Sequence, residues 1–276
     1  MLLSVESKQG KRNYMEDRYA YFENPYKKYL IAFVCDGHGG DQMASITIDI
    51  LLNQLKHGMD TISNTIPLKI ALRIREIIVT FGEKYKKECS GSTLTGIVQF
   101  QDYLFIFNIG DSRTLFKTSP NTIIHFLRPY FCDITGHYIP TEIKLQDFIT
   151  DFFITNDHDD SNIFEVERIY KSGGTISNHR LNGILSVTRS FGDYDIGKGI
   201  CYIPDIYWTS IKKIEHPILL ISDGIYEHQR SHSKQKQNAE EIYNKAMNGS
   251  AKKVVQFASQ SGSSDNLTAM VVSLIH

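Results

Sequence analysis

Apolar residues along this chain fall into short runs that stop at glycine and aspartate. Tyr29–Cys35 is apolar throughout and ends at Asp36-Gly37, and Tyr103–Ile109 ends at Gly110-Asp111. The run at 217–222 ends at Asp223-Gly224, and a fourth, at 267–275, follows Asp265-Asn266 directly. Runs this short, bounded by turn residues, predict buried strands. Carboxylates placed at strand ends can converge at one edge of a core. Between the runs, apolar residues recur at helical spacing over 44–55, 67–85, 239–247 and 251–260, which predicts four helices. Regular alternation of strand and helix is missing. The pattern therefore favours strands packed in layers with helices outside over a doubly wound parallel sheet. The stretch 114–155, with Pro120, Pro129, Gly136 and Pro140, reads as an extended connection with some strand or helix of its own. With 276 residues and no repeat, low-complexity tract or linker, the chain fits one large domain or two small ones.

Composition narrows the partners. Apolar residues make up 41% and charged residues 22%, an ordinary globular balance. Lys plus Arg total 30 against 31 for Asp plus Glu, so a general polyanion binder is disfavoured and no nucleic acid is expected as a partner. No apolar stretch approaches the ~18–20 residues that cross a bilayer, and the opening residues carry no basic leader. The expectation is an intracellular protein, cytoplasmic or nuclear, without a membrane partner. Cys35, Cys89, Cys132 and Cys201 form no Cys-x-x-Cys pair, which reads as reduced thiols and neither a zinc site nor a disulfide framework. The sequons at Asn248 and Asn266 read as chance.

Candidate chemistry lies in five acidic groups. They are Glu16-Asp17 after Arg12, Asp36-Gly37-His38-Gly39-Gly40, Gly110-Asp111, Asp223-Gly224 with Glu227 beyond, and Asp265-Asn266. Each alone is an everyday turn or a surface charge pair. Together they change the picture, because crowded carboxylates repel and imply cations. All-oxygen donors select magnesium, manganese or calcium. Two such ions ~3.5–4 Å apart can activate water and hold a phosphoryl group. A guanidinium at Arg12 suits phosphate, since its planar fork donates two hydrogen bonds at once. The residues by themselves point to metal-assisted phosphoester hydrolysis.

The order of these groups resembles the metal-dependent protein phosphatase family, also called protein phosphatase type 2C. The matching stretches are Arg12-x-x-Met15-Glu16-Asp17, Asp36-Gly37-His38-Gly39-Gly40, Gly91-Ser92-Thr93 and Asn108-x-Gly110-Asp111-Ser112-Arg113. They continue with Asp157-His158, Glu167-Arg168-Ile169, Gly173-Gly174, the stretch from Val187 to Asp193, Ser222-Asp223-Gly224 and Asp265-Asn266. The resemblance implies a single domain over residues 1–276 with an α+β fold, a four-layer α-β-β-α sandwich with two central antiparallel sheets flanked by helices. It implies a hydrolase, expected as a monomer, that removes phosphate from serine and threonine of phosphorylated protein substrates. Two Mg2+ or Mn2+ ions are implied, with Asp36 bridging them, Asp223 and Asp265 completing one, and Glu16 and the Gly37 carbonyl holding the other. A bridging water or hydroxide would attack phosphorus directly. Arg12 would grip the phosphate, Asp17 would orient a water, and His38 would protonate the departing oxygen as general acid. A weaker third ion matches Asp111 and Asp223.

Three departures from the family pattern stand out. Glu227 occupies a place where many members carry Asp, which bears on the third ion at Asp111 and Glu227. The stretch 194–216 is short, implying a reduced flap, and 114–155 is longer than the equivalent hairpin. Of the other residues, His57, His125, His137, His158 and His228 form no ligand pair and read as structural or surface. Arg189 reads as a sheet-edge support at least as well as a substrate contact, Trp208 as packing, and Cys35 as a buried inert thiol. An inactive binding module would be expected to lack one of Glu16, Asp36, Asp223 and Asp265, and all four are present. A small phosphorylated metabolite is the alternative substrate.

Overall fold

The computed structural model describes residues 2–63, 66–130, 142–229 and 235–275. In chain order the strands are β1 (Leu2–Lys8), β2 (Arg18–Asn24), β3 (Tyr29–Cys35), β4 (Gly37–His38), β5 (Gly91–Ser92), β6 (Leu94–Phe100), β7 (Tyr103–Ile109) and β8 (Arg113–Tyr130). They continue as β9 (Glu142–Ile154), β10 (Ile176–Ser177), β11 (Arg180–Leu181), β12 (Phe191–Gly192), β13 (Asp205–Ser210), β14 (Ile214–Ile221) and β15 (Leu267–Val272). Helix α1 (Gln42–Ile46) runs through a π turn at Thr47–Leu51 into α2 (Leu52–Thr61), and α3 (Pro67–Tyr85), α4 (Ile163–Lys171), α5 (Gln235–Ala246) and α6 (Ala251–Gln260) follow.

Burial on both faces explains why the strand runs are uninterrupted. In β3, Tyr29, Ile31, Phe33 and Cys35 pack against Leu55, Ile74 and Phe81 of the first three helices. The alternate residues Leu30, Ala32 and Val34 face the other way, against Leu220 of β14 and Met270 and Val272 of β15. Leu219, Ile221, Ala269 and Val271 turn outward again, onto Ile242 of α5 and Val254 and Ala258 of α6. The period-two rule thus yields helix, strand, strand and helix layers from sequence runs with no polar face. Helix α3 follows the expected bounds because Ile70, Ile74, Ile78 and Phe81 bury one stripe and Pro67 starts the first turn. Each such isoleucine contributes roughly 1.5–3 kcal/mol by leaving water.

The layering is the expected one, with a difference in the sheets. Every pairing in the main sheet is antiparallel, and hydrogen bonds join the strands into one ten-stranded sheet curled over itself. Strand β8 is the seam. Its first residues pair with β14 in one layer, and His125, Phe126 and Leu127 pair with β13 in the other. The extended connection at 114–155 is this strand and its partner β9, paired from Leu115↔Ile154 to Tyr130↔Glu142 with a shift of register between Lys117 and Thr122. Cys132, Gly136, His137 and Pro140 lie outside the described residues. The stretch 194–216, read as a short flap, carries two 3-10 turns, Tyr194–Ile196 and Ile211–Lys213, with β13, a central strand of the sheet, between them. Among the described residues, no helix is long and apolar enough to cross a membrane.

Candidate active site

Strand direction brings the acidic groups to one edge. Both β3 and β7 pair antiparallel with β6, so their carboxyl ends, at Asp36 and near Asp111, leave the sheet on the same side. The start of β2 pairs with the end of β3 (Arg18↔Cys35), which delivers Glu16 and Asp17. The end of β14 pairs with the start of β15 (Ile221↔Ala269), which delivers Asp223 and Asp265. A cavity of about 280 Å³ opens there, lined by Arg12, Glu16, Asp36, Gly37, His38, Asp111, Asp223 and Asp265 together with Thr93.

Side chains around the rim are held by specific partners. Asn266 stitches the Arg12 loop down: its Nδ2 donates to the Gln9 and Tyr14 carbonyls, and its Oδ1 accepts from Glu16 N at 2.7 Å. Glu16 Oε1 in turn accepts from Gly40 N at 2.6 Å. Asp36 and Thr93 exchange two hydrogen bonds, and Thr93 Oγ1 also meets Ser112 Oγ. Gly37 has to be glycine, since a Cβ there would stand 2.6 Å from the Glu16 carbonyl oxygen. Arg12 reaches Asp265 Oδ2 at 2.6 Å, and His38 Nε2 lies 2.7 Å from Asp193 Oδ2.

The acids are short of positive partners. Burial pushes the Asp36 carboxyl well above the usual range, and the charges of Asp17 and Asp223, with a hydrogen bond shared with Asp223, push it further. Burial lifts Asp17 to about 7, with Asp223 and Asp265 adding repulsion. Asp265 is raised by burial and by Asp223. Burial opposes the Arg12 charge, yet Asp265, Asp223 and Asp36 hold that guanidinium above its ordinary value. Asp17 Oδ2 accepts from Ser222 Oγ at 2.8 Å, whereas its Oδ1 is buried and, among the described residues, takes no hydrogen bond.

These features fit hard divalent cations: the donors are oxygens, they repel one another, and one buried carboxylate oxygen lacks the donor that a bound water would supply. Among the described residues, no three such side chains form a ready-made protein cage.

Two expected donors behave differently. Asp111 lines the cavity, but Glu227 is not part of its lining. Glu227 Oε1 accepts from Ser263 Oγ, Ser264 N and Asp265 N, so this carboxylate braces the loop that carries Asp265. Two neighbours were missed by sequence reasoning. Arg180 lines the cavity with Leu185, Ser186 and Val187, on a hairpin whose turn residues Asn178 and His179 both take positive φ. Asp193 was visible only as part of a matched stretch. His158 is fully buried, with Nδ1 accepting from Gly110 N, and Arg189 is buried between Glu165 and Asp205. Neither side chain is part of the cavity lining.

Comparison with known proteins places the chain. A family model described as Protein phosphatase 2C matches residues 1–267. Over 273 residues the chain is 25% identical to probable protein phosphatase 2C 76 of Arabidopsis thaliana, covering 97% of this chain and 57% of that protein. It is 27% identical to probable protein phosphatase 2C 45 of Oryza sativa subsp. japonica, covering 98% of this chain and 86% of that protein. Protein phosphatase 1A of Homo sapiens is 26% identical over 249 residues, with 81% of this chain and 57% of the human protein covered. The chain therefore spans little more than half the length of two of these three relatives. Among solved structures, serine-threonine phosphatase 2C from Toxoplasma gondii superposes with a TM-score of 0.66 at 17% identity, covering 97% of this chain and 93% of that one. A C. elegans sex determining protein gives 0.70 at 20% identity, covering 97% and 63%. At these identities the structures speak for the fold.

Proposed function

The chain belongs to the protein phosphatase 2C family, and from that premise we propose that it hydrolyses phosphoserine and phosphothreonine in proteins with divalent cations. The observation that carries the reading is the cavity that Arg12 shares with carboxylates from five separate strand ends, one of which, Asp265, it contacts. Asp36, Asp223 and Asp265, with Glu16 and the Gly37 carbonyl, would hold two magnesium or manganese ions. When bound, such ions supply Lewis-acid polarisation of phosphoryl oxygens and a low-pKa water. Arg12 binds phosphate oxygens, for which it must exchange part of its contact with Asp265. Asp17, buried and with Oδ1 unpartnered, orients a water beside the carboxylates. His38, half-exposed on the cavity wall, protonates the departing serine or threonine oxygen. Arg180 stands on the same wall as a second cation for substrate phosphate. A weaker third ion would use Asp111; Glu227 is assigned to bracing Asp265.

The test is turnover of a phosphoserine peptide and of p-nitrophenyl phosphate by purified protein across a manganese titration. Activity that rises with manganese and stops with chelator is expected. A folded protein with no turnover at any manganese concentration would point to a binding module on this fold. Turnover of small phosphates without any phosphopeptide would point to a metabolite phosphatase.

A further inference from the structure

The His38 imidazole is held from outside the carboxylate cluster. Its Nε2 lies 2.7 Å from Asp193 Oδ2, a carboxylate whose side chain is only 5% exposed, against 28% for the histidine. Among the described residues, Nδ1 takes no hydrogen bond. Asp193 reaches the ring through a three-stranded ribbon in which β5 pairs with both β4 and β12.

Its place is fixed by several independent devices. Ser190 Oγ donates to the same Oδ2. Asp193 N donates to the Ser90 carbonyl and Tyr194 N to the Glu88 carbonyl, anchoring the loop on both sides. Asp193 itself is left-handed, with φ 55°, and Gly192 has φ 73° with Ser90 O 2.1 Å from where a Cβ would stand. At Gly91, a Cβ would fall 2.0 Å from His38 Nε2 and 2.3 Å from Asp193 Oδ2, so glycine is what leaves room for the pair. Backbone strain of this kind persists where the surroundings over-determine it.

We propose that Asp193 is the positioning residue for His38, accepting Nε2–H so that Nδ1 is the nitrogen that delivers a proton to the leaving oxygen. The proposal rests on the general-acid reading of His38 given above. In the step, water oxygen bonds to phosphorus and gives up one proton to solvent while the bond from phosphorus to the seryl oxygen breaks. The bonding pair stays on the seryl oxygen, which takes the proton from Nδ1. The imidazole is left neutral, with Nε2–H still on Asp193, and Nδ1 regains a proton from solvent before the next turnover. A carboxylate behind a working histidine fixes both ring orientation and tautomer.

The test compares the intact protein with Asp193→Asn, His38→Ala and the double variant at saturating manganese. Substrates are a phosphoserine peptide, phenyl phosphate and p-nitrophenyl phosphate, whose leaving groups need progressively less protonation. Asp193→Asn is expected to lower kcat by about 10- to 100-fold on the peptide, by less on phenyl phosphate and least on p-nitrophenyl phosphate. The double variant should lose no more than His38→Ala alone. A purely structural role would lower all three substrates by one factor and multiply with the His38→Ala loss, and either result overturns the proposal. If His38→Ala is selective for the peptide while Asp193→Asn is not, the proposal alone fails. If His38→Ala itself shows no selectivity, the general-acid reading falls and this proposal with it. Ser190→Ala, which frees the carboxylate without removing it, should give the same selectivity at smaller size, and covers the case in which Asp193→Asn does not fold.

Discussion

Two clusters of buried charge sit in this fold, and they are balanced in opposite ways. On helix α4, Glu165 receives Arg168 and Arg189, while Asp205 of β13 receives Arg189 and lies 3.2 Å from His158 Nε2. Burial works to raise both acids, yet the two arginines hold Glu165 well below the usual carboxylate range, and Arg189 with His158 holds Asp205 below it. At the cavity the sign reverses: Asp17, Asp36 and Asp265 are all raised. One cluster carries its own cations and is finished as a structure. The other is an acidic site in which five carboxylates line the cavity beside Arg12 and Arg180, and in the proposed function divalent cations balance it. The uncompensated cluster is therefore where chemistry is expected, and the compensated one is where stability is.

The largest effects should separate the two clusters most sharply. Asp36→Asn should lower kcat by about 10³-fold or more, about 4 kcal/mol in the barrier, while leaving the metal-free protein as stable as before or more so. That follows because it removes a carboxyl held far from its ordinary state. Glu165→Gln should do the reverse, destabilising by about 3–5 kcal/mol because it strands two buried arginines, with kcat per folded molecule little changed. Urea unfolding beside manganese-saturated kinetics reads both. Loss of stability in Asp36→Asn with normal turnover would abolish the distinction.

The same contrast explains what could be read from the chain. Four of the strands were legible because both faces are apolar, so every residue of Tyr29–Cys35 carries the signal. The acids at their ends were legible because turn chemistry marks them. Helix α4 was not, since its buried positions include Glu165 and Arg168, and the outward Ile163 and Phe164 are exposed. A compensated ion cluster inside a core inverts the hydrophobic pattern. Strand β8 was legible only as a connection with some strand or helix of its own, because Pro120 and Pro129 break its sequence pattern and the pairings that override them come from β13 and β14, far along the chain. Asp193 faced a similar limit. Nothing local tells that residue 193 meets residue 38.

A smaller effect tests the uncompensated side through pH. A carboxyl whose folded pKa is raised contributes stability below its unfolded value near 4 and loses it as pH rises through the folded value. For Asp17, at about 7, the loss spans the interval between them and amounts to at most about 4 kcal/mol, at ~1.4 kcal/mol per unit. Asp36 acts in the same direction. Chelated protein should therefore melt at progressively lower temperature from pH 5 to pH 7.5, Asp17→Asn should flatten the slope, and manganese should restore stability at the upper end. A flat profile for the chelated protein would show that the acids are already compensated.

The smallest effect falls on Glu227, where the two kinds of charge meet. Its carboxylate accepts from Ser263 Oγ at 2.7 Å, Ser264 N at 3.0 Å and Asp265 N at 3.3 Å. It thereby spends an acid's charge on bracing the loop beneath a proposed metal ligand. Glu227→Gln keeps an acceptor oxygen but loses the charge assistance, worth about 1 kcal/mol. The manganese concentration for half-maximal activity should rise about three- to tenfold, with kcat at saturation unchanged. If kcat falls while the half-maximal concentration stays put, Glu227 acts on the reaction and not on the Asp265 loop. A third cation held with Asp111 would then be the better account of why an acid stands there.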